Sequence, residues 1–177
     1  RVNGLVGAGT EPAAALTAQT CTDSDDDGLR IAGRYIHSWG NGHTTMLAAM
    51  YEELSWDLDC GAVPDTVFDD LEIDHWMISG KHNFPGPLDF RFSYMDADEY
   101  ECGSASLASG SCVETDSDAT AFNVGIFYTM PAGTELRLVY SEVDNESNAT
   151  YDFGINGAGG AAGTDKEAIG IGMVQWF

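Results

Sequence analysis

The chain has 177 residues, and its 29 acidic residues far outnumber its 7 lysines and arginines, so that the formal net charge is −22. This charge excludes nucleic acid as a partner, because binding to phosphates requires a basic face. Hydrophobic residues make up 44% of the chain and recur in short regular blocks, which excludes a disordered chain. No run approaches the roughly 20 apolar residues of a membrane-spanning helix. The length predicts one domain over residues 1–177.

Short and long connections alternate along the chain. Glycine and proline mark three short turns at 39–42, 84–87 and 130–133, where a strand reverses within a few residues. Longer polar stretches occupy residues 10–28, 57–68, 96–119 and 144–166. Eight predicted strands lie between these connections, at 1–9, 29–38, 44–56, 69–82, 88–95, 120–130, 134–143 and 167–177.

Apolar and polar side chains alternate in the clearest of these segments. Across residues 88–94 every even position is apolar and every odd position is polar, and segments 120–130 and 134–143 also show a period of two. One apolar face with that period predicts a β-strand. Segment 44–56 is less clear, because residues 46–50 are apolar on both faces and a helix is an alternative there.

Acidic residues collect at one end of the predicted strands. All but Asp89 and Glu135 lie in the long connections or at the strand ends next to them. A sandwich has no reason for this asymmetry, whereas an outer-membrane barrel has long exterior loops, where divalent cations bridge lipopolysaccharide, and short turns on the periplasmic side. We therefore predict an all-β fold, an antiparallel up-and-down transmembrane β-barrel surrounded by outer-membrane lipid and lipopolysaccharide.

Aromatic residues collect at the short-turn end. An aromatic ring with a polar edge suits the headgroup region of a bilayer, which favours an interfacial girdle over ordinary core filling. The residues of this predicted girdle are Tyr35, Trp39, Phe84, Tyr128, Trp176 and Phe177.

Four arginines in the strands are the candidate pore-lining residues: Arg30, Arg34, Arg91 and Arg137. An arginine that faced lipid at mid-membrane would cost about 2–4 kcal/mol, so these side chains are predicted to point into the barrel. A ladder of positive charge on the inner wall would bias the passage of ions. Salt bridges without a transport role are the alternative, and the pattern leaves the direction of Lys81 open.

Asp23, Asp25, Asp27 and Gly28 match the first half of a calcium-binding loop. The bidentate acid expected at the twelfth position is replaced by Arg34, which excludes an EF-hand. A structural Ca²⁺ that takes further ligands from elsewhere is one hypothesis, and a solvated acidic loop is the other. No other cofactor is expected.

The four cysteines occur as an even number and form no CxxC pair. Two disulfides in an oxidising compartment are the preferred interpretation, Cys102 with Cys112 inside one long loop and Cys21 with Cys60 between two others, and free thiols are the alternative. No serine has a nucleophile-elbow context and no pair of carboxylates is placed for catalysis, so the chain is not expected to be an enzyme.

The last third of the chain resembles the C-terminal end of the general bacterial porins of Gram-negative proteobacteria. Four runs carry this resemblance: FNVGIFY at 122–128, TELRLVYS at 134–141, VDNESNATYDFG at 143–154 and AIGIGMVQWF at 168–177. The terminal Phe177 on an alternating strand looks like the signal that the barrel-insertion machinery of the family reads.

Porins of this family are sixteen-stranded barrels, usually homotrimers, through which small hydrophilic solutes and ions diffuse passively. The resemblance therefore implies that this chain is the C-terminal portion of a porin, with the earlier strands and their constriction loop missing. Neither the transported solute nor the sign of ion selectivity follows from the sequence. Two alternatives stay open: a complete, non-conducting eight-stranded barrel for anchoring or adhesion, and a soluble secreted β-sandwich that binds a ligand.

Overall fold

The computed structural model describes residues 23–59, 70–102, 114–153 and 161–176, and it describes their side chains except at 23–26, 57–59 and 70. Within these ranges the chain forms seven strands: β1 (Asp23–Gly40), β2 (His43–Asp59), β3 (Asp70–Asn83), β4 (Leu88–Ala97), β5 (Ala119–Thr129), β6 (Thr134–Asn145) and β7 (Lys166–Gln175).

All seven strands belong to one sheet, in which each strand pairs with its neighbours in sequence, in the order β1-β2-β3-β4-β5-β6-β7. Every pairing is antiparallel. This is the up-and-down meander that the sequence predicted. The strands contain between 10 and 18 residues, and about 9–11 residues suffice for a tilted strand to cross a bilayer.

The predicted strand at 44–56 is confirmed, and the main difference from the sequence prediction concerns the start of β1. Residues 44–56 lie in β2 and not in a helix, because cross-strand hydrogen bonds to β1 and β3 satisfy their backbone on both sides. β1 begins at Asp23, earlier than predicted. The predicted strand 1–9 lies outside the described residues. Among the residues that the structure describes, no helix is long and apolar enough to cross a membrane.

Three short connections join β1 to β2, β3 to β4 and β5 to β6, and all lie at one end of the sheet. The tightest is at residues 40–42, where Gly40 and Gly42 both have a φ of 84° and Asn41 has a φ of 49°. Glycine and asparagine tolerate this left-handed conformation better than other residues. The strand ends that the long connections join lie at the other end: Asp59 and Asp70, Ala97 and Ala119, and Asn145 and Lys166.

The two faces of the sheet differ in chemistry, and the register shows which residues share a face. The outward face carries 17 of the 20 exposed large hydrophobic side chains of the described residues. They are Leu29, Ile31, Tyr35, Trp39, Leu47, Tyr51, Trp76, Ile78, Leu88, Phe122, Ile126, Tyr128, Leu136, Leu138, Ile169, Ile171 and Met173. An exposed apolar surface of this extent is stable only against an apolar surrounding.

The opposite, inward face contains all the buried large or charged side chains of the strands, including Leu71, Phe127, Glu52, Asp89 and Glu135. No second layer covers this face within the described ranges, since the seven strands form a single sheet. Its side chains are therefore buried by one another, as expected on the concave side of a curved sheet.

Gly125 gives the fold a testable tight contact. A Cβ atom at this inward position would lie 2.8 Å from the Phe127 ring and 3.1 Å from the Leu138 carbonyl oxygen. Overpacking of this kind typically costs about 1–3 kcal/mol. We expect Gly125→Ala to lower the free energy of unfolding by that amount in a urea titration in lipid vesicles. Gly33→Ala is the control, because nothing lies within 4 Å of a Cβ there. Equal effects of the two substitutions would contradict the described packing.

Candidate functional site

Five charged side chains form a cluster on the inward face near the short turns, called the wall cluster below. It contains Lys81 on β3, Asp89 and Arg91 on β4, and Glu135 and Arg137 on β6. Arg91 Nε lies 2.6 Å from Asp89 Oδ1, and Arg91 Nη2 lies 3.1 Å from Glu135 Oε2. Arg137 Nε lies 2.6 Å from Glu135 Oε1, and Lys81 Nζ lies 3.4 Å from Asp89 Oδ2. Three cations thus surround two carboxylates.

The ring of Phe127 packs against the two arginines of the wall cluster. Its register partners are Asp89 on β4 and Arg137 on β6, so the ring lies between the two sets of charges. The guanidinium carbon of Arg91 lies 3.7 Å from the centre of this ring, and that of Arg137 lies 5.8 Å from it. Stacking of a guanidinium on an aromatic face fixes its plane and adds attraction. The two guanidinium groups are therefore held against the inward face of the sheet and do not extend freely from it.

A second charged group lies closer to the long connections. Arg30 Nε donates to Glu52 Oε1 over 2.6 Å, and His75 Nε2 lies 2.8 Å from Glu52 Oε2. The side chain of Glu52 is 9% exposed, whereas that of Arg30 is 62% exposed. The cationic partner is thus the one that faces solvent.

Arg34 lies on the inward face between the two groups, and it is exposed and makes no ion pair within the described part of the chain. It begins a row of inward residues linked by the register: Ala48, Ser79, Ser93, Asn123, Ser141 and Ala168. Small and polar side chains leave room for water, and the Asn123 amide donates to Ser93 Oγ over 3.3 Å. This row across the inward face is therefore small and mostly polar.

The outward face changes from apolar to acidic toward the long connections. Tyr51 donates to Asp74 Oδ2 over 2.9 Å, Tyr94 to Asp96 Oδ2 over 3.2 Å and Tyr140 to Glu142 Oε2 over 2.8 Å. These tyrosines are the last outward aromatics before the carboxylates on their strands. A ring that is apolar at its base and polar at its tip belongs at a bilayer surface.

This loop-side aromatic row was missed by the sequence analysis, although a signal for it exists. Tyrosine followed two positions later by an acid on the same face occurs in β2, β4 and β6, at 51–53, 94–96 and 140–142. At the short-turn end, the predicted girdle residues Tyr35, Trp39 and Tyr128 are exposed and face outward. The Trp39 indole donates to Thr45 Oγ1 over 2.7 Å.

The remaining predicted site residues are distributed as follows. The backbone of Asp23, Asp25 and Asp27 is extended within β1 and pairs with β2, so these residues do not form the loop on which the calcium hypothesis was based. Cys102 is the one cysteine among the described residues, and it is not free. Four of the predicted site residues lie outside the described ranges: Cys21, Cys60, Cys112 and Phe177.

Comparison with known proteins identifies a similar solved structure. No family model matches the chain, and no curated protein matches its sequence. The fold is similar to that of an anion-selective porin from Comamonas acidovorans, with a TM-score of 0.63 and 17% sequence identity. The match covers 85% of this chain and 39% of that porin. The likeness shows the fold: the chain has the antiparallel up-and-down sheet of a porin β-barrel, over well under half of that porin's length.

Proposed function

We propose that this chain is part of the β-barrel of an outer-membrane porin, through which small hydrophilic solutes and ions diffuse passively. The observation that carries the proposal is the contrast between the two faces of one sheet. The outward face is apolar and exposed, with tyrosines where it meets the acids, while the inward face carries the ion-paired groups and a row of small and polar side chains. Such a sheet suits a wall between hydrocarbon and water.

The wall charges favour anions. The inward faces of the described strands carry six cations, Arg30, Arg34, Lys81, Arg91, Arg137 and Lys166. Among the described side chains they are opposed by three inward acids of the strands, Glu52, Asp89 and Glu135, and by Asp152, which pairs with Lys166. A ring of excess positive charge lowers the barrier for an anion and raises it for a cation. We therefore expect chloride to pass more readily than potassium, with no binding pocket and no chemical turnover.

The proposal also implies that the outward face meets outer-membrane lipid and lipopolysaccharide. Three outward acids at the loop end have carboxylate oxygens within 4.8 Å of one another: Glu53, Glu72 and Asp74. Carboxylates at that level suit the divalent cations that bridge lipopolysaccharide. A homotrimer, disulfides Cys21–Cys60 and Cys102–Cys112, and an assembly signal at Phe177 remain predictions from the sequence.

Conductance across a planar lipid bilayer tests the function. We expect the native protein, purified in detergent, to insert in discrete steps of nanosiemens scale with a reversal potential that indicates anion preference. A protein that inserts into vesicles but never conducts would instead be the filled, anchoring type of small barrel. A protein that stays monodisperse in water without detergent would be a soluble sandwich, and either result would refute the proposal.

A further inference from the structure

Asn145 holds the connection between β6 and β7 against the inward face. Asn145 is buried at the end of β6 and faces inward, as its register partner Ala119 does. Its side-chain oxygen accepts from the Tyr151 amide over 2.8 Å, and its Nδ2 donates to the Tyr151 carbonyl over 3.1 Å. The same nitrogen donates to the Thr164 carbonyl over 2.8 Å. One side chain thus joins both arms of the connection.

Lys166, the first residue of β7, adds a second anchor from the inward face. Its Nζ donates to the Tyr151 carbonyl over 3.0 Å and lies 3.3 Å from Asp152 Oδ2. The side chains of Lys166 and Asp152 are only 14% and 16% exposed. A backbone segment bonded to two inward-pointing side chains lies on the inward side itself, so residues 151–153 are drawn toward the barrel axis.

The segment also reaches sideways across the sheet. The ring of Tyr151 lies 6.2 Å from that of Tyr100, which follows the end of β4. β5 lies between β4 and β6, so this contact joins two connections whose preceding strands are not neighbours in the sheet. Farther out, the amide of Asn148 donates to the Asp116 carbonyl over 2.8 Å, which fixes the outer part of the connection to the loop before β5. The described residues 146–153 of the connection are therefore tied to the two connections beside them.

We propose that residues 151–153, held by Asn145 and Lys166, narrow the loop-side mouth of the pore and limit the size of the solutes that enter. This inference rests on the proposed porin function and adds a size filter in series with the charged wall. Lys166 pairs with Asp152, so residues 151–153 add no net charge of their own to the acidic loop end. Burial raises the pKa of the Tyr151 phenol above its ordinary value, which keeps that side chain neutral as well. The filter thus selects by size, while the wall selects by charge.

Single-channel conductance and the permeation of neutral sugars of increasing size test the mouth. Asn145→Ala removes three hydrogen bonds of the anchor. We expect it to raise conductance by roughly half and to admit larger sugars, because the narrowest opening limits flow through a water-filled pore. The ion permeability ratio should not change. Ser147→Ala is the control, since Ser147 Oγ bonds only to Asp116 in the outer part of the connection.

Tyr151→Ala provides a second variant in case Asn145→Ala does not assemble. It removes the phenol ring and keeps the hydrogen bonds that Asn145 and Lys166 make to the Tyr151 backbone. It should also admit larger sugars. If the wild-type protein conducts and both folded variants keep its conductance and sugar cut-off, the mouth inference is wrong and the porin function stands. If the wild-type protein itself does not conduct, the proposed function fails.

Discussion

Replacing Arg91 and Arg137 together by glutamine is expected to lower the chloride-to-potassium permeability ratio several-fold. The wall cluster then changes from three cations and two acids to one cation and two acids, so its net charge changes from +1 to −1. One unit charge 4 Å from an ion contributes about 1 kcal/mol in water, and salt reduces this value. Reversal potentials across a planar bilayer under a KCl gradient measure the change.

The matched control for this prediction removes a negative charge from the wall cluster in place of a positive one. Glu135→Gln removes an acid from the same cluster and is expected to raise the chloride preference, while single-channel conductance changes little. Asn123→Ala alters the neutral inward row and should leave the ratio unchanged. If all three variants gave the wild-type ratio, the arginines would be structural salt bridges without a role in transport, which is the alternative that the sequence left open.

Placing a lysine at Leu138 is expected to destabilise the protein by about 2–4 kcal/mol, because an outward charge near the bilayer midplane meets hydrocarbon. Leu138 is 50% exposed on the outward face, and it lies centrally in the apolar stretch of β6 between Leu136 and Tyr140. The free energy of folding into lipid vesicles, measured by urea titration, tests the prediction.

The control for Leu138→Lys is the next residue along the strand. Val139 faces inward, opposite Gly125 and Gly170, where a lysine can extend into water. We expect Val139→Lys to cost less than about 1 kcal/mol, because a charge on the lumen side stays hydrated. If Val139→Lys destabilised the protein as much as Leu138→Lys or more, the inward face would be the one that meets lipid. That result would overturn the proposed membrane orientation.

Much of the fold could be predicted from the sequence because strands repeat every two residues and turns need particular residues. The alternation in 88–94 and the glycines at 40 and 42 identify β4 and the first hairpin from local patterns alone. The segment 46–50 gave an ambiguous prediction, since Met46, Ala48 and Met50 face inward and Leu47 and Ala49 face outward. Both faces are apolar there, so local pattern could not distinguish a strand from a helix.

The candidate site was only partly predictable for a different reason. The period of two places Arg91 and Arg137 on the face opposite the apolar one, and the sequence analysis predicted this direction. It does not show that both arginines reach Glu135, or that Phe127 lies beneath them, since these residues come from three strands. Contacts between strands depend on register, and register is set by all the pairings of the sheet together.

The sequence by itself determined the strands, the alternation of their faces and the separation of short turns from long acidic connections, because these features depend on neighbours in the chain. The tertiary structure decided which charges meet on the inward face, where β1 begins and how Asn145 links Tyr151 to Thr164. These features join residues that are distant in sequence or depend on cross-strand pairing. They are fixed only when the strands pair in register and the sheet curves.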